Sequence, residues 1–207
     1  MLTETSGRTA QDLAAELADL RGTDWSTIWP GPPQGGSPEF HAWCERHGWE
    51  PEPGSRNLVV RTRTGGELTF ESNGAWRPVS RLTYWASRLV AAEPSDNPAV
   101  LEGAASAWPA FLAAAESVLG PAAWHGPWDA EDFPEPPEQA FWGDRDYRLE
   151  TRDPHRLAFW APEGEHPGQA FFVLDQAVSF QTWGSGAPGS SVIVLKVHAP
   201  EGSRRRR

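Results

Sequence analysis

The chain has 207 residues, with 28 Asp and Glu against 18 Lys and Arg, for a formal charge of −10. That length allows one domain or two small ones, with a core that needs no metal or disulfide to hold it. Cys44 is the single cysteine, so no intrachain disulfide can form. Four arginines fall in the run Arg204 to Arg207, leaving about −14 on the remainder. Such a body repels nucleic acid and steers basic partners toward itself.

The first residues, MLTETSGRTAQDL, carry acids and no apolar run, unlike a signal peptide. No stretch approaches the apolar length of a membrane span. These features set the expectation of a cytoplasmic protein with no membrane partner. Proline and glycine number 20 each, which implies many turns, and tryptophan numbers 12. An indole both buries area and keeps a polar handle, so the tryptophans fit either a core or a binding surface.

Thr9 can cap a first helix, with Asp12 completing a capping box. Leu13, Leu17 and Leu20 follow at helical spacing, and Gly22 ends the element. The next stretch, GTDWSTIWPGPPQGG, is too rich in proline and glycine for a regular element. Its Trp25, Ile28 and Trp29 are expected to tuck it onto the core. Ser37-Pro38-Glu39 is a strong helix start, Phe40, Trp43 and Cys44 form one face, and Gly48 stops the helix.

Strands are predicted at 57–63 and 67–72, where Leu58, Val60, Leu68 and Phe70 alternate with polar or exposed positions. Thr64-Gly65-Gly66 is a tight connection, and Asn73-Gly74 is the strongest hairpin signal in the chain. A short strand at 75–79 holds Pro78, which places it at an edge or ends it early. From Ser80 the period changes. Leu82, Trp85, Ala86, Leu89 and Val90 predict an amphipathic helix of about 11 residues, broken at Glu93-Pro94.

Asn97-Pro98 is read as the cap of a further helix through the alanine-rich run to Ala107. Pro109 is expected to kink or restart it, with Phe111, Ala115, Val118 and Leu119 buried and Gly120 at its end. The segment 121–143 is a long, acidic, proline-rich connection anchored by its Trp and Phe residues. Strands are predicted at 146–151, 156–161, 170–174, 176–183 and 191–197, with a flexible GSGAPGSS loop before the last. The Arg204–Arg207 tail is expected to be disordered.

Together these elements predict an α+β fold, with antiparallel strands and helices packed on one face. A helix followed by three strands occurs from Ser37 and again from about Pro109. Two organisations stay open: units at 1–96 and 97–200 with a basic tail at 201–207, or one domain using the same pattern twice.

His41, Cys44 and His47 are spaced three and three on a helix, which leaves the two histidines about 120° apart, a poor arrangement for converging on a metal. His125, Asp129 and Asp132 lie among prolines without the register of a calcium loop. Asp144, Asp146 and Glu150 resemble the paired carboxylates of a glycosidase, with tryptophans nearby for sugar stacking. No phosphate loop, nucleophile elbow or dinucleotide fingerprint occurs. Neither a catalytic residue, nor a metal, nor a cofactor is assigned.

The favoured candidate surface combines acids and indoles: Trp124, Trp128, Asp129, Glu131, Asp132, Glu135, Trp142, Asp144 and Asp146. Aromatic anchors within an acidic surround suit a basic protein partner. Through FHAWCERHGW, ELTFESNGAW and WHGPWDAEDF the chain loosely resembles the small acidic α+β immunity proteins of bacterial, actinobacterial polymorphic-toxin systems. The resemblance implies a non-enzymatic role, occluding a basic toxin domain in the producing cell. The alternatives are a carbohydrate-binding or hydrolytic protein and a structural or regulatory domain.

Overall fold

A computed structural model describes residues 3–4, 7–53, 57–72, 76–138, 140–162, 169–179, 184 and 186–200. Asn73-Gly74 and the Arg204–Arg207 tail lie outside them. The fold is α+β, an antiparallel sheet with helices packed against it.

The first helix, α1 (Ala10–Arg21), starts at the Thr9–Asp12 capping box, and Leu13, Leu17 and Leu20 are buried. The following loop is held by burial of Trp25, Ile28 and Trp29. Trp25 and Trp29 stack at 4.9 Å, and the Trp29 indole N–H donates to the Gln169 carbonyl at 3.1 Å. Helix α2 (Pro38–His47) begins at Ser37, whose hydroxyl accepts from the Phe40 N–H, and ends at Gly48 with φ of 68°. A residue with a Cβ is strained at that left-handed angle. Here it would also meet the Arg63 side chain at 2.5 Å.

Nine strands form one sheet. They are β1 (Thr3–Glu4), β2 (Glu50–Pro51), β3 (Leu58–Arg61), β4 (Glu67–Ser72), β5 (Val79–Val90), β6 (Trp124–Pro127), β7 (Arg156–Trp160), β8 (Phe171–Val178) and β9 (Ser190–His198). Their order is β2-β3-β4-β5-β9-β8-β7-β6, with β1 pairing β5. Every pairing is antiparallel. Two four-strand meanders therefore meet at the centre through their last strands, β5 and β9.

Residues 80–90 are not a helix. They form most of β5, the long strand at the middle of the sheet. The register with β9 shifts between Trp85 and Ser87, so Tyr84 pairs with Leu195 and Ser87 with Ile193. This bulge breaks the two-residue alternation and gives the apolar positions a helix-like spacing. Pro78 precedes the strand, where no ladder donor is needed, and Val79 begins a central rather than an edge strand.

Helix α3 (Asn97–Leu119) runs on through Pro109 without restarting. Pro109 is exposed while Trp108 and Phe111 on either side of it are buried. Packing along both halves of the helix outweighs the lost hydrogen bond. Val118 and Leu119 are half-buried, short of the full burial expected. Asn97 is not the cap, since Asp96 occupies that position. The Asn97 amide instead donates to the Ala187 carbonyl and accepts from the Gly189 N–H, pinning the loop before β9.

Residues 146–151 are also helical, as α4 (Arg145–Thr151). The Asp144 carboxylate accepts from the Tyr147 N–H at 2.9 Å and starts the helix. The strands expected at 170–174 and 176–183 are a single strand, β8, up to Val178, and residues 180–183 lie outside the described part. Ser190 and Ser191 belong to β9 rather than to the loop before it.

Helices α1, α2 and α3 share one face of the sheet, in a core with Leu82, Tyr84, Leu174 and Leu195. Among the described residues seven of 11 tryptophans are buried, so their excess is chiefly a matter of core packing. On the other face Leu157, Phe171 and Val173 meet Phe133, Phe141 and Trp142 in a second cluster. Among the described residues no helix is long and apolar enough to cross a membrane.

Candidate functional site

The acidic segment is mounted on the second face of the sheet. It leaves the sheet from β6, a strand the sequence pattern did not reveal because WHGP holds glycine and proline. Gly126 leaves room for the Trp124 ring, from which a Cβ would lie 2.8 Å. Phe133, Phe141 and Trp142 then bury against the strands. Trp142 stacks on Phe159 at 5.3 Å, and its indole donates to the Pro134 carbonyl at 3.0 Å.

Arg148 closes the loop onto α4. It is buried, its guanidinium donates to the Trp128 carbonyl, and it lies 4.0 Å over the Phe133 ring. Burial pulls its pKa down, as does Arg145, while Glu135 and Asp129 pull it up. Arginine remains charged under such a shift.

The nine sequence-derived residues divide into two groups. Trp142 is interior and serves the core. Trp124 is half-buried, edge-on to Phe133 at 4.8 Å, and donates to Asp132 at 3.1 Å. Trp128 is half-buried beneath the Arg152 guanidinium at 5.2 Å. Asp129, Glu131, Asp132, Glu135, Asp144 and Asp146 are all exposed. The segment 124–151 holds eight carboxylates and two arginines.

The structure adds two side chains that the sequence reading passed over. Tyr147 is 47% exposed and Leu149 is 42% exposed. With Trp85, they are the exposed large hydrophobics among the described residues. Reading 146–151 as a strand hid their setting. At about 100° per residue, buried Arg148 points α4 toward the loop, and Asp146 and Glu150 form an outward acidic crest. Tyr147 and Leu149 lie on the two flanks of that crest. The available signal was Asp144 three residues before Tyr147, a helix start, with Asp146 and Glu150 one turn apart.

Other reactive side chains sit elsewhere. Cys44 is buried, and burial pushes its thiol up to about 11, which makes it a core residue and a poor nucleophile at neutral pH. His41 is exposed, while His47 is half-buried and packs on Trp43 and Trp49. No group of three His, Cys, Asp or Glu among the described residues could hold a metal. On the second face Lys196 pairs with buried Asp175. Burial raises the nearby Asp153, with the Asp175 charge adding and Lys196 opposing.

No family model matches the chain, and neither a curated protein nor a solved structure does.

Proposed function

We propose that this is a non-enzymatic binding protein that takes a basic protein partner on the surface formed by the 128–144 loop and α4. The observation that carries this reading is the α4 ridge: an acidic crest, Asp146 and Glu150, with Tyr147 and Leu149 exposed on its flanks and buried Arg148 fixing it beneath. Pre-mounted aromatic and aliphatic anchors supply binding energy, and surrounding carboxylates set association rate and partner choice. The sugar-stacking alternative is less well supported, because Trp142 is covered by Phe159 and Trp128 by Arg152. Asp144, one of the paired carboxylates it would need, is engaged as a helix cap. Following the resemblance to immunity proteins, the proposed partner is a basic toxin domain.

The test is co-purification of the full chain with each protein encoded beside its gene, followed by titration calorimetry on any pair found. Tyr147→Ala is expected to weaken capture by about 2 kcal/mol, as truncated aromatic anchors do. The double reversal Asp146→Lys with Glu150→Lys is expected to slow association and remove its salt dependence. A basic partner held equally well by all three proteins would place its site elsewhere.

A further inference from the structure

The face of the sheet opposite α1, α2 and α3 is covered on one side only. The cluster that covers it takes its strand residues from β6, β7 and β8, and among the described residues nothing in it comes from β3, β4 or β5. Arg81 marks the border, donating to the Ala140 carbonyl at 3.2 Å. The loop and α4 thus form a layer about 10 Å thick, one helix diameter, beside a recess of open sheet.

Alternation along the strands fixes what the recess presents. Ile193, Leu195 and Val197 enter the helix-side core, so Val192, Val194 and Lys196 face the other way. Trp85 lies opposite Val194 and Arg88 opposite Val192, which puts both on the floor of the recess. Residues three apart in a regular strand point to opposite faces; the bulge between Trp85 and Ser87 brings Trp85 and Arg88 onto one. Trp85 is 50% exposed, and Arg88 is exposed beside it.

The other exposed large hydrophobics, Tyr147 and Leu149, stand on α4 across the border. Asp153, just past α4, feels the charges of Asp175 and Lys196. Asp175 in turn lies opposite Val194, the residue that faces Trp85. The end of α4 and the indole therefore belong to one surface.

Charge and shape decide what fills the recess. Eight carboxylates and two arginines leave −6 on the segment 124–151, so two such layers repel each other. The recess is balanced instead, with Arg61 paired to Glu52, Arg81 to Glu71 and Lys196 to Asp175. Arg88 makes no ion pair among the described residues and is open to a carboxylate. Turning one copy about an axis along β9 drops each acidic layer into the other's recess. Strands β3, β4, β5 and β9, with six residues in β4, make a recess of about 19 by 20 Å. One recess and one ridge of that footprint come to about 800 Å² per copy, the share of a standard stable interface.

We propose that this face is a self-association surface, on which a second copy of the chain docks with two-fold symmetry, its α4 ridge seated beside Trp85 and Arg88. A basic partner and a second copy then exclude each other from α4, but the dimer needs no such partner to form. Sedimentation equilibrium of the full chain alone, from about 1 μM to about 1 mM, tests it. A monomer–dimer equilibrium within that range is expected. Trp85→Ala with Arg88→Glu damages the recess, and Leu149→Ala with Glu150→Lys damages the ridge. All four positions are exposed, so both variants should keep the wild-type urea midpoint. Each is expected to weaken dimerisation by about tenfold or more, as loss of a central anchor does. Mixed together, they should associate more tightly than either does alone, because the heterodimer keeps one undamaged ridge and recess. A wild-type chain that stays monomeric overturns the proposal and leaves the basic-partner reading of α4 standing. Wild-type dimerisation in the recess variant also overturns it, as does a mixture that associates no better than its parts.

Discussion

On the helix-bearing face of the sheet, Leu13, Leu17, Trp29, Tyr84 and Leu195 belong to one continuous core beneath regular helices. On the opposite face, Phe133, Phe141 and Trp142 pin an irregular loop over the β6–β9 half. The β4–β5 half of that face carries polar pairs, with Arg81 bound to Glu71 at 2.5 Å and Thr83 donating to Glu71 at 3.0 Å. The first face draws stability from many shared contacts, so losing one residue is felt throughout. The second depends on a few anchors, so losing one should free a segment and leave the rest in place.

The largest effect should come from Trp29→Ala, which empties a buried site and removes the stack on Trp25. A loss of about 3–5 kcal/mol is expected in urea unfolding, seen equally by every probe. Arg148→Ala should cost less, about 1–3 kcal/mol, by removing the donor to Trp128 and the contact with Phe133. Its signature is local. Amide exchange should accelerate across 128–151 while β5 and β9 keep their protection, and uniform acceleration would erase the proposed distinction between the faces.

Thr9→Ala breaks the capping box of α1 and should cost about 1 kcal/mol in the same unfolding experiment. A subtler effect concerns Glu16. Burial raises its pKa more than the Thr64 and Thr62 hydroxyls and Arg8 lower it. The folded chain therefore holds that proton more tightly than the unfolded chain does. This contribution to stability is full below the ordinary glutamate range and is lost as pH rises through the raised value. Glu16→Gln should then have the higher urea midpoint at neutral pH, with the gap closing toward acid. The smallest change is expected for Tyr147→Ala, within about 0.5 kcal/mol in stability, because its ring is largely in solvent. A large loss there would mean that the ring supports the fold instead of awaiting a partner.

Much of the helix-bearing face could be read from local patterns. Thr9 with Asp12, Ser37 with Pro38, and Gly48 are signals that act within a few residues, and each works as its chemistry implies. Strands β3, β4 and β9 announced themselves by alternation or by β-branched runs. The errors arose where distant contacts decide. The β5 bulge exists because β9 imposes a register, and α3 passes Pro109 because the core holds both of its halves. Of the candidate surface, the exposed carboxylates were legible, but α4 was not, since its direction is set by Arg148 reaching back to Trp128. Glu16 looked like any surface position in a helix. Its burial comes from Thr62 and Thr64, 46 and 48 residues further on.

The central pairing of β5 with β9 bears on biosynthesis. β9 leaves the ribosome after every other described strand, and among the described residues its pairing with β5 is what joins the two meanders. Until then, the nascent chain displays a long unpaired edge on β5 and another on β8. Such edges invite strand exchange between copies, so slowing the docking of β9 is expected to raise the share of newly made protein that aggregates.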